Sequence, residues 1–333
     1  MNKQISAIIP GSEIKPAARK MYLPFEGSEN KLELILRRPH KTIRDNRDGK
    51  WDRVAKAAGF TIVSHIAIAR VDAYLLGEAS LFVWNNRILM INGGKALLTD
   101  ALPEILRFID PKDIMFALYE RKNLTYPLHQ TSNFETEAAF VQTYFPGKSY
   151  RMGPADHEHW HIFLSDSADN TPMRDVKLQI LMTNIAPCLL EVYAEKPPAG
   201  FQQEGKLSWL NTLYPEATAD CCQFSPCGYS MNAVFDSSYY TVHITPQPEG
   251  SYASFETNIM EKYCPSLIRV ILRYFKPGNF SLVLTTTKHE EYMLLHKEAK
   301  DQISGYKISD ISNYQLGENF IATFVNFEQT MDH

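Results

Sequence analysis

At 333 residues and a formal net charge of −4, the chain is long enough to bury a large core and has no basic surplus of the kind that binds nucleic acid. It contains no run of about eighteen apolar residues, which argues against a membrane span, and its N-terminus lacks signal-peptide architecture. Five cysteines without zinc-type spacing (Cys188, Cys221, Cys222, Cys227 and Cys264) fit free thiols in a reducing compartment, so a cytoplasmic protein is expected.

Residues 1–22 read as a polar, basic arm, with Lys3, Lys15, Arg19 and Lys20 against Glu13 and with Pro10, Gly11 and Pro16 breaking regular structure. From residue 23 the pattern becomes globular. Leu32, Leu34 and Leu36 alternate as in a strand, the charged stretch 38–50 reads as a loop, and WDRVAKAAGF reads as a short helix stopped by Gly59. Two β-rich stretches follow, TIVSHIAIARVDAYLL and SLFVWNNRILMI. Helices are expected at TDALPEILRFI and at FETEAAFVQTYF, the second opened by Ser132 or Asn133 near its N-cap.

HWHIFLSD reads as a strand, and DVKLQILMTNIAPCLLEVYA as a helix with Leu178, Leu181 and Ile185 on one face. In the hairpin-like stretch 228–257, Tyr239, Thr241 and His243 fall on one face and Tyr240, Val242 and Ile244 on the other. An amphipathic helix at MEKYCPSLIRVILRYF and strands at FSLVLTTTK and NFIATFVNF close the chain. Blocks of strands and helices with hairpin turns point to an α+β fold with antiparallel sheets in a single domain, residues 23–328, followed by a short tail, 329–333.

Read from residue types alone, two patterns invite chemistry. Ser230 and His243 could be taken for a hydrolase dyad, but no nucleophile-elbow motif surrounds the serine. His157, His159 and His161 alternate on one strand face, a spacing that can bind zinc, yet no supporting ligand pattern accompanies them. A strand edge is the better reading, and no metal is expected.

Specific strings carry more. Leu76-Gly77-Glu78-Ala79-Ser80-Leu81-Phe82-Val83 resembles the self-cleavage segment Leu-Ser-Glu-Ser-Ser-(hydrophobic)-Phe-Val of the eukaryotic S-adenosylmethionine decarboxylases, which are pyruvoyl enzymes. Phe25-Glu26-Gly27-Ser28-Glu29, Pro226-Cys227-Gly228-Tyr229-Ser230-Met231-Asn232, His243-Ile244-Thr245-Pro246 and Ser254-Phe255-Glu256-Thr257 resemble further segments of that family in the same order. The resemblance implies a four-layer α/β/β/α sandwich of two antiparallel sheets.

It also implies site residues. In the family, a serine after the cleaved bond attacks the preceding carbonyl and becomes a ketone, the electron sink for decarboxylation. By position that serine is Ala79 here, after Glu78, and the family's proton-donating cysteine falls on Asn92. Ser230 and His243 match the pair that assists processing. Phe25, Glu26, Phe224 and Gln247 match the adenosyl pocket, with Gln247 in place of a ribose-binding glutamate. Glu33, Asp175, Lys177, Gln179 and Glu256 match the acidic site that binds putrescine in animal members, and Lys177 is expected to supply that cation internally.

With Ala79 and Asn92 in those positions, the resemblance is nearest to the family's catalytically dead trypanosomatid paralogues, the prozymes. On that reading the chain is no enzyme, forms no pyruvoyl group, and pairs with an active S-adenosylmethionine decarboxylase subunit as its allosteric activator in spermidine synthesis; a homodimer of the chain alone stays open. The basic arm 1–22 is the expected regulatory element. Two alternatives remain: an active decarboxylase that processes itself at Ser80, and a sensor of an adenosyl ligand. A shift of one residue along a strand is expected to turn Ser80 away from the assisting groups.

Overall fold

The computed structural model describes residues 29–122, 130–156, 158–167, 174–193, 210, 214–224, 227–247, 250–259 and 264–330. The arm 1–22, together with Phe25 and Glu26, lies outside the described residues.

Sixteen strands among the described residues form two antiparallel sheets of eight. The first contains β1 (Asn30–Leu36), β2 (Ser64–Ala67), β3 (Val71–Leu75), β4 (Ala79–Trp84), β5 (Arg87–Asn92), β6 (Ile114–Lys122), β7 (Gly147–Met152) and β8 (Trp160–Ser165). They lie in the order β2-β3-β4-β5-β1-β6-β8-β7. The second contains β9 (Val176–Thr183), β10 (Thr218–Gln223), β11 (Tyr229–Phe235), β12 (Ser238–Thr245), β13 (Tyr252–Thr257), β14 (Asn279–Thr287), β15 (Tyr306–Leu316) and β16 (Phe320–Gln329), in the order β10-β11-β12-β13-β9-β14-β16-β15. Counted from its own first strand, each sheet has the same order, a repeat of topology that the sequence does not display.

Helices α1 (Lys50–Ala57), α2 (Leu102–Ile105) and α3 (Phe134–Gln142) cover the outer face of the first sheet. Leu32, Leu34, Ala79, Leu81, Val83 and Met90 pack there against Trp51, Val54, Leu102 and Ala138. Helices α4 (Pro187–Val192), α5 (Cys264–Phe275) and α6 (Glu290–Glu298) cover the second sheet, with Leu178, Ile180, Val242 and Phe255 against Leu189, Ile268 and Ile271. The sheets meet face to face, so the expected four-layer α/β/β/α sandwich in a single domain is what the chain forms. No described helix is long and apolar enough to cross a membrane.

One element differs from expectation. The stretch expected to be a helix from Asp175 is strand β9 up to Thr183, and only Pro187–Val192 is helical. Leu178, Ile180 and Met182 face the helical layer, while Lys177 and Gln179 between them face the opposite sheet. A strand buried on both faces loses the clean apolar–polar alternation, and Leu178, Leu181 and Ile185 then imitate a helical period. Of the two cap candidates, Asn133 caps α3, its side chain accepting from the Thr136 N–H at 2.8 Å.

Candidate functional site

The layer between the sheets is the unusual one, because each strand's period of two directs polar groups into it. At one end of this layer, β4 supplies Ser80, β11 supplies Ser230 and Asn232, and β12 supplies Thr241 and His243. Ser230 pairs with His243, and Asn232 with Thr241, in the β11–β12 ladder. The Ser80 Oγ lies 2.7 Å from Asn232 Oδ1, 3.1 Å from His243 Nε2 and 3.3 Å from Thr241 Oγ1. The other His243 nitrogen, Nδ1, lies 2.7 Å from Ser230 Oγ. All five residues are buried. Burial pushes the His243 imidazole down to about 4, so the ring is neutral at neutral pH.

Ala79 and Ser80 therefore divide between two environments. The Ala79 methyl packs with Leu81, Tyr74 and Leu76 on the helix side. Ser80 faces His243. The expectation that a one-residue shift turns the hydroxyl away from the assisting groups is corrected: the parity of β4 directs residue 80, not residue 79, toward them. The turn before β4, opened by Gly77 at φ 83°, brings the Leu76 N–H to 2.8 Å from the Ala79 carbonyl oxygen. The Glu78 carbonyl accepts from the Gly93 N–H at 3.0 Å.

A small cavity beside this cluster is lined by Glu78, Gly93, Phe224, Ser230, His243 and Tyr252, among others. Phe224 is held there by Gly228, where a Cβ would fall 2.3 Å from the ring. The Glu78 carboxyl is raised by burial and packs over Gly94. Asn92 does not face the cavity. Its amide closes the following turn, accepting from the Gly94 N–H at 2.7 Å and donating to the Gly94 and Ala96 carbonyls. The position that does face the cavity is Gly93, whose added Cβ would meet only ordinary contacts, 3.6 Å from the Glu78 oxygen and 3.9 Å from Glu29 Oε2 and His243 Cβ. Gln247 is half-buried in the segment just after β12.

Farther along the same layer, the structure brings together Glu33, Asp175, Lys177, Gln179 and Glu256. Lys177 Nζ bonds Glu33 and lies 3.3 Å from Glu120; Lys31 Nζ lies 2.8 Å from Glu256 and 3.3 Å from Glu120. Arg87 bridges Glu33 and Asp175, the latter at 2.8 Å. Gln179 donates to Glu120 at 3.2 Å, and the Tyr239 hydroxyl to Glu256 at 2.5 Å. Burial opposes the charge on Lys177, but Glu33 and Glu120 outweigh it and hold the ammonium raised. Burial likewise opposes ionisation of Glu120, yet Lys31 and Lys177 bring it down to about 2. Sequence reasoning missed Lys31, Arg87 and Glu120. The available signal was charge at alternate positions inside leucine-rich runs, as in Lys31 and Glu33 of NKLELIL.

His159 and His161 do share a face, with ring nitrogens 3.1 Å apart, and His161 stacks on Phe134. The strand of His161, β8, which His159 immediately precedes, is covered by β7 and is not an edge. His157 lies outside the described residues, and among the described residues no group of three metal-ligating side chains occurs.

Comparison with known proteins adds what geometry cannot. The adenosylmethionine decarboxylase family model matches residues 23–328. The chain is 31% identical over 316 residues to the S-adenosylmethionine decarboxylase proenzyme of Xenopus laevis, covering 90% of this chain and 94% of that protein. It is 26% identical over 343 residues to the Leishmania donovani proenzyme, covering 92% and 86%. A solved structure of the Trypanosoma brucei enzyme, titled an AdoMetDC-delta26 monomer, superposes with a TM-score of 0.59 at 22% identity, over 75% of this chain and 99% of that one. That likeness concerns the fold.

Two expectations are corrected on these findings. The reading as a pseudoenzyme is overturned by relatives from frog, slime mould, Leishmania, carrot and fly that are all named as decarboxylase proenzymes. The expectation of no pyruvoyl group falls with it, since the family's proenzymes are pyruvoyl-dependent. The physical counterpart is Ser80, a hydroxyl within reach of His243 that inspection of residue 79 alone passes over.

Proposed function

The chain belongs to the S-adenosylmethionine decarboxylase family, and from that premise we propose that it is a decarboxylase proenzyme of polyamine biosynthesis that processes itself between Ala79 and Ser80. The observation that carries this reading is the Ser80 hydroxyl, 3.1 Å from a neutral imidazole and next in sequence to a carbonyl that accepts the Leu76 N–H. The residues fit a pyruvoyl precursor at 80 and not at 79, where the methyl group offers no nucleophile.

Ser80 Oγ attacks the Ala79 carbonyl carbon as His243 Nε2 takes the hydroxyl proton. The Leu76 N–H stabilises charge developing on the Ala79 oxygen. The Ala79–Ser80 amide breaks, leaving an ester on Oγ and a free amine on residue 80. Loss of the Ser80 Cα proton expels the Ala79 carboxylate. Water then replaces the nitrogen, which leaves as ammonia, so that residue 80 becomes a ketone at a new N-terminus. In the family this ketone holds the substrate amine and serves as electron sink. Phe224, on the wall of the cavity beside Ser230, offers an aromatic face for stacking an adenine ring.

Intact mass and gel electrophoresis test the proposal. Fragments 1–79 and 80–333 are expected, and a chain that remains whole at 38.1 kDa overturns it. Pairing with a second S-adenosylmethionine decarboxylase chain is a separate proposal, suggested by the resemblance to family members that work in pairs. Mixing this chain with such a subunit should raise decarboxylation above the sum of the two alone; an additive rate rejects the pairing.

A further inference from the structure

The contacts around Ser80 restrict where its proton can sit. Asn232 Nδ2 donates to the Tyr74 carbonyl at 3.1 Å, an oxygen that can only accept, so the amide orientation is fixed and Oδ1 must face Ser80 and Thr241. Oδ1 has no proton to give. Its 2.7 Å contact with Ser80 is therefore Ser80 donating. The Ser80 oxygen is then left to accept, and with Thr241 donating elsewhere, His243 Nε2, 3.1 Å from Ser80 Oγ and 3.2 Å from Thr241 Oγ1, carries the imidazole's single proton. His243 Nδ1 accepts from the Ser230 hydroxyl at 2.7 Å, and Thr241 donates to the Met231 carbonyl at 3.0 Å.

In that arrangement His243 is no base for Ser80, because it donates to the very oxygen it should deprotonate. A second arrangement is reached when the Ser80–Asn232 contact, left without a proton, lengthens from its 2.7 Å. Thr241 turns its proton to Asn232 Oδ1 at 2.9 Å, and Ser80 turns its proton to Nε2. The imidazole proton sits on Nδ1 and is donated to Ser230 Oγ, whose own proton turns into the cavity that Ser230 lines. His243 carries one proton in both arrangements, and each hydroxyl keeps its own.

We infer that Asn232 and Thr241 are positioning residues that decide whether His243 can act as base toward Ser80. Asn232 holds the Ser80 proton in the resting arrangement, and Thr241 keeps the buried Asn232 oxygen supplied with a hydrogen bond once Ser80 turns away. This inference rests on Ser80 as the processing nucleophile.

The test is nitrogen NMR of histidine-labelled chain, freshly purified and still uncut, with the cleavage rate followed in parallel. The His243 tautomer with the proton on Nε2 is expected in the unaltered chain. Asn232→Ala should convert it to the Nδ1–H form. Thr241→Val should keep Nε2–H and slow cleavage at least tenfold. An Nδ1–H ring in the unaltered chain overturns the inference, and so does Nε2–H persisting in a folded Asn232→Ala. Should that variant not fold, Thr241→Val carries the test, and cleavage at the unaltered rate overturns it. A chain that never cuts but shows the expected tautomers removes the processing role of Ser80 and supports the proton arrangement.

Discussion

Lys177 of β9 and Glu33 of β1 meet across the two sheets with 1% and 2% of their side chains exposed. A lysine sealed between sheets stays charged only if carboxylates surround it, and Glu33 and Glu120 do so. Lys31, Arg87 and Lys177 thus face Glu33, Glu120, Asp175 and Glu256 with a near-balance of charge. The space in which a diamine would neutralise these carboxylates already holds the chain's own cations. Calorimetric titration of the purified protein with putrescine should show no micromolar binding. Lys177→Ala should cost about 3 kcal/mol in denaturant unfolding by leaving Glu33 to Arg87 alone and Glu120 to Lys31 alone as buried cations, and added putrescine should recover part of that loss in the variant alone.

The opposite facing of Ala79 and Ser80 predicts an asymmetry between two neighbouring substitutions. Ser80→Ala should leave the chain whole on a denaturing gel. Ala79→Ser places its hydroxyl among Leu81, Tyr74 and Leu76, away from His243, and should leave the cut at the same bond. Fragment masses showing that the cut in the second variant has moved back by one residue, to the bond that follows Glu78, would contradict this assignment of faces.

How much of this was legible beforehand depends on whether a residue's role follows from its own pattern or from its neighbour across the gap. The sheets were legible, since Leu32, Leu34 and Leu36 alternate and Tyr239, Thr241 and His243 share a face as expected. The meeting of Glu33, Asp175, Lys177, Gln179 and Glu256 followed from the resemblance alone. β9 was not legible, because Leu181 is apolar on the face that carries Lys177 and Gln179, which breaks the alternation and completes a Leu178, Leu181, Ile185 spacing that imitates a helix. Nor were the roles of Asn92 and Gly93: string matching placed the proton donor at Asn92, whereas strand parity turns that amide into its own turn and leaves Gly93 toward the cavity. Asn232 lay in plain sight inside Pro226–Asn232, but only the distance to Ser80, 152 positions away in sequence, gives it a role.

His243 makes the fold sensitive to acid. Its folded value of about 4 lies below the ordinary 6.5, so the unfolded chain binds the proton more readily. Stability from this group is present above pH 6.5 and is lost as pH falls through 4, by about 3 kcal/mol over the whole window. Urea unfolding across pH 4–7 should show this loss as the difference in slope between the unaltered chain and His243→Gln. An identical slope in the variant would remove the imidazole as its source.

Glu29 acts in the reverse sense over the same range. Burial, reinforced by Glu256 and opposed by Lys31 and hydrogen bonds from Tyr252 and Ser254, raises its carboxyl to about 7. Because the folded value lies above the ordinary 4.5, the folded chain holds the proton more tightly. The favourable contribution is complete below pH 4.5 and is lost as pH rises through 7, again by about 3 kcal/mol. In the unaltered protein the two slopes therefore oppose each other, and unfolding midpoints should vary little between pH 4.5 and 6.5 from these groups. Single substitutions separate them. Glu29→Gln keeps the Tyr252 contact without the titration, and should leave a protein whose stability climbs steadily with pH under the influence of His243. If Glu29→Gln instead flattens or inverts that climb, the carboxyl is ionised in the folded state throughout the range and the assignment fails.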